Sequence, residues 1–165
     1  MNSDQSRLRV GLGVDAHRFV AGRRLVLGGV VLRDRDGLEG HSDADVLTHA
    51  IMDAVLGAAG LEDVGQLFPD DDPAFAGASS VSLLESAAGM IRDCGWELVN
   101  VDAVVVCEEP RIAPHKQAMR ERLAEALGVA VGQVSLRGTT TEGMGFCGRG
   151  EGIAAQAVAL VEGNK

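Results

Sequence analysis

Two short stretches of the sequence contain the residue types that bind transition metals. Asp15 and His17 follow an apolar run at positions i and i+2, and alternate residues of a strand project from one face, so their side chains can converge. His49 lies about two turns into a predicted helix, on a side that packing can turn toward that strand end. Two imidazoles and one carboxylate are zinc ligands that leave a fourth position open for substrate. A surface Asp-x-His pair and an unrelated helical histidine are the alternative interpretation.

His41 precedes a predicted helix N-terminus. The segment 42–45 has capping-box spacing, with Ser42 as the N-cap and an acid three residues later. Unpaired N–H groups and the positive end of the helix dipole favour an anion there, so a phosphate would contact both the histidine and the backbone. A loop histidine paired with a carboxylate is the alternative.

A third set of polar residues lies near the C-terminus. Three consecutive threonines, residues 139–141, can donate to phosphate oxygens, and Glu142 can bind a hard cation. Arg149, among glycines, suits bidentate phosphate contact. The acidic loop 68–73 could bind hydroxyls or metal. Threonine runs are also common in ordinary strands, and acidic runs in solvated turns.

The elements that position these residues follow from hydrophobic periodicity and from glycine and proline. They predict an α+β fold: a single-domain sandwich over residues 1–165, with a mixed sheet of four-stranded type, helices on one face, and a flexible extension at 1–8. Residues 33–40 and 63–77 are predicted loops. The predicted strands are 8–14, 25–32 (with a bend at Gly28 and Gly29), 96–107, 134–136 and 153–161, and the helices run from Ser42 to Gly60, from Ser79 or Ser80 to Asp93, and from Pro114 to Gly128.

Composition excludes several classes of function. The net charge of -9 and only five Phe or Trp residues argue against nucleic-acid binding. The three cysteines contain no C-x-x-C pair, so neither a disulfide framework nor a thiolate zinc site is predicted. The absence of an apolar leader or membrane-length run favours a cytoplasmic protein without membrane contact. With only Lys116 and Lys165 as lysines, a polyanionic ligand would need metal ions and backbone N–H groups.

Taken together, these motifs resemble the 2-C-methyl-D-erythritol 2,4-cyclodiphosphate synthase family of the non-mevalonate (MEP) route to isoprenoids. The resemblance runs from about Arg9 to Val161, and the shared order of its motifs is specific. It rests on residues 13–17, 41–49, 63–70, Pro110, Pro114, 139–142 and 148–152.

The resemblance implies a metal-dependent lyase that closes a cyclic diphosphate and releases CMP. Asp15, His17 and His49 would bind one zinc ion per subunit. Glu142 would help to hold Mg²⁺ or Mn²⁺ with the substrate. His41 and Thr140 would orient and stabilise the transferring phosphate.

The resemblance also implies a homotrimer with active sites between subunits, the cytidine pocket coming from the adjacent chain. A central cavity lined by position 14, Phe146 and Arg149 can hold an isoprenoid diphosphate in relatives, where an aromatic often replaces Val14; Arg111 stands where a lysine is common. The implied substrate-binding residues are Asp15, His17, His41, Ser42, Asp63, Val64, Gly65, Phe68, Pro69, Asp70, Asp71, Asp72, Cys107, Glu108, Glu109, Pro110, Arg111, Ile112, Ala113, Thr139, Thr140, Thr141, Glu142, Phe146 and Arg149.

Two other functions use the same residues. A metal-dependent phosphohydrolase would activate water with the same ligand trio and release inorganic phosphate. A non-catalytic module would bind nucleotide or isoprenoid diphosphates without turnover.

Overall fold

The computed structural model describes residues 7–69, 71–75 and 78–163, apart from the side chain of Ala74. Its strands are β1 (Leu8–Val20), β2 (Leu25–Leu27), β3 (Val30–Arg33), β4 (Gly37–Leu38), β5 (Trp96–Val106), β6 (Val134–Thr139) and β7 (Gly152–Gly163). The main sheet has the order β4-β1-β7-β5-β6, and β2 pairs with β3 separately. Neighbouring strands are antiparallel except β5 and β6, so the predicted mixed sheet is confirmed, with a short fifth strand at its edge.

Three helices, α1 (Val46–Ala59), α3 (Ser80–Asp93) and α4 (Lys116–Leu127), pack on one face of the main sheet. Two short helices, α2 (Val64–Leu67) and α5 (Gly145–Gly148), and 3₁₀ turns at Pro73–Phe75, Ala113–His115 and Val131–Gln133 lie in the connections. On the sheet side, alternate residues of β5 such as Val101, Ala103 and Val105 are fully or almost fully buried in the shared core. No helix in the described part of the chain combines the length and apolar character that a membrane span requires.

Two glycines of β1 allow α1 to lie directly on the sheet. A Cβ atom at Gly11 would stand 1.9 Å from the carbonyl oxygen of Ala54, and one at Gly13 would stand 1.8 Å from that of Ala50. Only glycine permits so close an approach of helix backbone to strand backbone. The contact sets the position of His49, the residue before Ala50, relative to β1.

The opposite face of the sheet carries an apolar patch, formed by Val10, Leu12, Val14 and Val158. Strand pairing places Leu12 opposite Val158, and the first three residues alternate along β1. Their exposed fractions are 66%, 65%, 56% and 42%. No described residue covers this patch, which is unusual for a contiguous group of large apolar side chains.

The predicted second strand is wrong. Residues 25–32 form the hairpin of β2 and β3, because Gly28 and Gly29 both have positive φ (56° and 72°) and close a tight turn instead of a bend. The predicted loop 33–40 contains β4, and the predicted loop 63–77 contains α2 and the turn Pro73–Phe75.

The predicted N-cap of the first helix is also wrong. Helix α1 begins at Val46, and its N-cap is Asp45, whose side chain accepts a hydrogen bond from the backbone N–H of Thr48. Gly60 ends the helix in the left-handed conformation, as predicted. The other two helices are confirmed, and α5 was not predicted. Leu8, assigned to the flexible extension, is the first residue of β1; residues 1–6 lie outside the described residues.

Candidate functional site

Asp15, His17 and His49 converge, as the sequence predicted. Each offers one ligand atom, and the three atoms lie within 4.8 Å of one another. Asp15 Oδ2 is 2.9 Å from His17 Nε2 and 3.1 Å from His49 Nδ1. Ligand atoms about 2.0–2.1 Å from a tetrahedral ion stand about 3.3 Å apart, so the spacing and the donor types fit zinc.

The local fold explains this convergence. Asp15 and His17 are alternate residues of β1, and His49 lies on α1, which the glycine contact holds against the same strand. His17 Nδ1 is 2.5 Å from the carbonyl oxygen of Glu39. Because a carbonyl only accepts, Nδ1 carries the hydrogen, and the Nε2 lone pair of the neutral ring faces Asp15.

Electrostatics at the trio favour a cation. Burial opposes ionisation of Asp15, but the hydrogen bonds and charge that the protonated rings of His17 and His49 supply outweigh it and hold the pKa of this carboxyl well below its usual range. The hydrogen bond that the protonated ring of His17 donates to Asp15 raises the pKa of His17 above the ordinary value, against the smaller effect of burial. The carboxylate therefore draws either protons or a metal ion to this point.

The trio opens into a cavity of about 380 Å³ between β1, α1 and α2. Five other residues predicted to act on substrate line it: His41, Ser42, Val64, Gly65 and Phe68. Four further lining residues were not predicted: Gly40, Asp53, Phe75 and Leu83. Asp53 lies one turn after His49 on α1, a spacing that could have identified it, and its Oδ1 accepts from the N–H of Val64 at 2.9 Å.

The anion site near His41 stays a prediction, but the helix begins farther along the chain than expected, at Val46. The carboxylate of Asp45 lies at the start of α1 and accepts from the N–H of Thr48 at 3.0 Å, so it occupies one of the helix donors. The loop at His41 is held by Arg23, whose guanidinium donates to the carbonyl oxygens of Gly40 and Ser42.

A second cavity, of about 390 Å³, collects most of the predicted cytidine-binding residues. It lies where the parallel strands β5 and β6 end. Its lining includes Cys107, Glu108, Pro110, Arg111, Ile112, Ala113, Thr139 and Thr140.

Glu108 anchors the threonine loop beside this second cavity. Its Oε1 accepts from the N–H groups of Thr141 and Gly143 at 3.1 and 3.3 Å. In that loop, Thr140 Oγ1 donates to Glu142 Oε1 at 3.4 Å. Glu142 has φ 55°, a left-handed conformation that a non-glycine residue adopts at some cost. An exposed carboxylate is thus held beside Thr140.

The remaining predicted site residues lie elsewhere. Asp63 is the N-cap of α2 and accepts from the N–H of Gln66 at 3.0 Å. Pro69 is half-buried, Asp71 and Asp72 are exposed, and Asp70 lies outside the described residues. Glu109 and Arg149 line a further cavity of about 540 Å³, and Phe146 lines another with His17 and Glu151.

Comparison with known proteins identifies the family. The model of the YgbB family matches residues 8–162. The chain belongs to the YgbB family. It is 62% identical, over 157 residues, to the 2-C-methyl-D-erythritol 2,4-cyclodiphosphate synthase of Rubrobacter xylanophilus, covering 93% of this chain and 94% of that protein.

Solved structures of the family share this fold. The bifunctional IspDF of Campylobacter jejuni superposes with a TM-score of 0.91 at 41% identity, covering 94% of this chain and 42% of that one. IspF of Plasmodium falciparum in complex with CDP superposes with a TM-score of 0.84 at 29% identity, covering 99% of this chain and all of that one. The family structures therefore resemble this chain along nearly its whole length.

Proposed function

We propose that this chain converts 4-diphosphocytidyl-2-C-methyl-D-erythritol 2-phosphate to 2-C-methyl-D-erythritol 2,4-cyclodiphosphate and releases CMP, in non-mevalonate isoprenoid biosynthesis. The observation that carries the proposal is the convergence of Asp15, His17 and His49 beside His41 in one cavity. Membership of a family whose close relatives bear the name of this synthase supports the substrate.

The two cavities support an active site shared between subunits. The first contains the metal-ligand trio and His41, and the second contains Thr140 and the predicted cytidine residues. Among the described residues, no lining residue is common to both. A ring of identical subunits can bring the first cavity of one copy to the second cavity of the next, because a closed cyclic interface joins two different surfaces.

The apolar patch supports the same assembly. Val10, Leu12, Val14 and Val158 would be buried against a second and a third copy of the chain around a three-fold axis. The cavity predicted near Phe146 and Arg149 would then lie close to that axis. The cytoplasmic location of the protein stays a prediction.

The donor atoms suit two kinds of ion. Zinc would be held by Asp15, His17 and His49, and Mg²⁺ or Mn²⁺ by Glu142 with the substrate phosphates. When bound, such ions supply Lewis-acid charge stabilisation and a template for the two phosphates.

The side chains of the protein then have to fold the substrate back on itself. An oxygen of the 2-phosphate attacks the β-phosphorus, a new P–O bond forms, and the bond to the bridging oxygen breaks, so CMP leaves with that oxygen. His41 and Thr140 hold the transferring phosphate in line, and Val64, Gly65 and Phe68 enclose the erythritol part and exclude water. Orientation of an intramolecular reaction can contribute about 7–11 kcal/mol.

Product analysis tests the proposal. The purified protein is incubated with the substrate in zinc and Mg²⁺, with and without chelator, and the products are identified by phosphorus NMR. We expect CMP and the cyclic diphosphate in equal amounts, and neither after chelation. Inorganic phosphate would indicate the phosphohydrolase, and binding without any product would indicate the non-catalytic module.

A further inference from the structure

A chain of polar side chains extends from His49 away from the ligand trio. His49 Nε2, the nitrogen that faces away from Asp15, is 2.9 Å from Ser80 Oγ. Ser80 is the first residue of α3 and is fully buried. Its hydroxyl also forms a short hydrogen bond with Asp43 Oδ1, and its backbone N–H donates to Asp43 Oδ2 at 3.1 Å. Two segments distant in sequence thus meet behind the histidine.

Because Asp43 is a carboxylate, it fixes the direction of the hydrogen bonds between His49, Ser80 and Asp43. An ionised carboxylate only accepts hydrogen bonds, and a serine hydroxyl has one hydrogen to donate. The Ser80 hydrogen therefore points to Asp43, and Ser80 Oγ must accept from His49 Nε2–H. Ser42 Oγ, at 3.4 Å from the same nitrogen, is a more distant partner.

This direction selects one tautomer of His49. With the hydrogen on Nε2, the Nδ1 lone pair of the neutral ring faces Asp15 Oδ2, 3.1 Å away. His17 is held in the matching way, since its outer nitrogen donates to the Glu39 carbonyl. Both rings therefore present lone pairs to a carboxylate oxygen, an arrangement that a bound cation stabilises.

We infer that Asp43 and Ser80 are positioning residues of the metal centre, which fix the ring orientation and tautomer of His49 so that Nδ1 is the coordinating atom. The inference rests on the metal site of the proposed function. It assigns a role to two residues that need not contact the substrate or the ion. Partners of this kind, one bond removed from the metal, commonly change metal affinity by 10–100-fold.

Zinc affinity of Ser80→Ala, measured by competition with a chromophoric chelator, tests the inference. We expect the dissociation constant to rise by about 10–100-fold over wild type. The matched control is Ser86→Ala on the exposed side of the same helix, where the affinity should not change. Ser80→Thr, which keeps the hydroxyl, should recover most of the affinity. An unchanged dissociation constant in a folded Ser80→Ala protein would overturn the inference.

A second measurement does not depend on the Ser80 variants. Nitrogen-15 NMR of zinc-free wild type, at a pH where the ring is neutral, reports which nitrogen of His49 carries the hydrogen. We expect Nε2–H in wild type and a shift toward Nδ1–H in Asp43→Asn. The amide of the asparagine can donate to Ser80 Oγ, and the Ser80 hydroxyl would then donate to His49 Nε2. Nδ1–H in wild type would refute the inference. Zinc binding that weakens in Ser80→Ala, in a protein that forms no CMP, would support the inference while removing the proposed function.

Discussion

Three ligand atoms around one point are the smallest unit on which the function depends. Asp15 Oδ2 is the common partner of both imidazoles, so an ion bound by all three residues would lie beside this oxygen. Loss of one imidazole leaves two protein ligands, fewer than catalytic zinc sites use.

His49→Ala should therefore lose bound zinc and CMP formation together while the fold and the proposed trimer persist. The expected reason is local, since truncation at a half-buried position on α1 leaves the helix contact with β1 intact. Metal analysis, gel filtration and the CMP assay check the three parts. Full activity in this variant would refute the ligand assignment.

Zinc affinity should fall as the pH falls. A protonated imidazole cannot coordinate, and the pKa of His17 is raised by its hydrogen bond to Asp15, so competition by protons begins above the ordinary histidine value of about 6.5. In the zinc-free protein, the stability that protonated His17 contributes should be present below that ordinary value and lost as the pH rises through the raised one. Chelator competition and urea unfolding at several pH values measure both effects. A zinc affinity that stays constant down to pH 6 would contradict the assignment of His17.

Glu142→Gln should weaken the binding of Mg²⁺ or Mn²⁺ without releasing zinc. The amide keeps the shape of the side chain and its contact with Thr140 but loses the charge that holds a hard cation. The concentration of Mg²⁺ needed for half-maximal activity should rise by about tenfold, as for the loss of one charged ligand contact of about 1.4 kcal/mol. An unchanged Mg²⁺ titration would exclude Glu142 from the metal site.

The sequence predicted the metal-ligating residues but not the residues that hydrogen-bond to them. The i, i+2 spacing of Asp15 and His17 identified a shared strand face, and that face is observed. Glu39 contacts His17, and Asp43 reaches His49 through Ser80. These contacts depend on how distant segments pack, and no local pattern encodes them.

At the scale of elements, Asp45 connects the hairpin to the helix that carries His49. Its carboxylate accepts from the N–H groups of Gly28, Gly29 and Thr48, and from the Thr48 hydroxyl, at 2.8–3.0 Å. The side chain is fully buried. A buried charge of this kind is tolerated because every oxygen is hydrogen-bonded.

Asp45→Asn should reduce the free energy of unfolding by about 1–3 kcal/mol, because one amide nitrogen would face a buried N–H that it cannot accept from. Urea unfolding measures the change. Asp34→Asn, at an exposed position in the next loop, is the matched control and should change stability little. Equal stability of the two variants would show that the carboxylate does not hold hairpin and helix together.

Asp45 also shows why the sequence predicted most of α1 but not its first residue. The capping-box spacing placed the cap at Ser42, and the helix stripe and Gly60 located the rest of α1. The observed N-cap is Asp45, whose carboxylate also accepts from the N–H groups of the turn formed by Gly28 and Gly29. The contact between this turn and Asp45 forms only in the tertiary structure. Local patterns therefore predicted a bent strand over 25–32 and a helix that begins at Ser42.

At the scale of the whole molecule, the proposed trimer accounts for both the two separate cavities and the uncovered apolar patch. Hydrophobic periodicity, glycine and proline predicted the sheet and its helices, and the folded chain shows that His41 and Thr140 line different cavities. The trimer would unite them.

Mixed trimers should therefore recover activity that neither parent has. His49→Ala and Thr140→Ala chains, unfolded together and refolded at equal ratio, should regain about a quarter of wild-type CMP formation, since that share of interfaces joins two intact halves. Each variant refolded alone is the control. No recovery in correctly assembled mixed trimers would place both residues in one subunit's site.

The proposed function depends above all on one zinc ion shared by Asp15, His17 and His49. Anomalous diffraction from crystals grown with zinc, recorded on both sides of the zinc absorption edge, tests this directly. We expect one peak per chain, within bonding distance of Asp15 Oδ2, His17 Nε2 and His49 Nδ1. A trio without a peak, in crystals that bind zinc elsewhere, would contradict it.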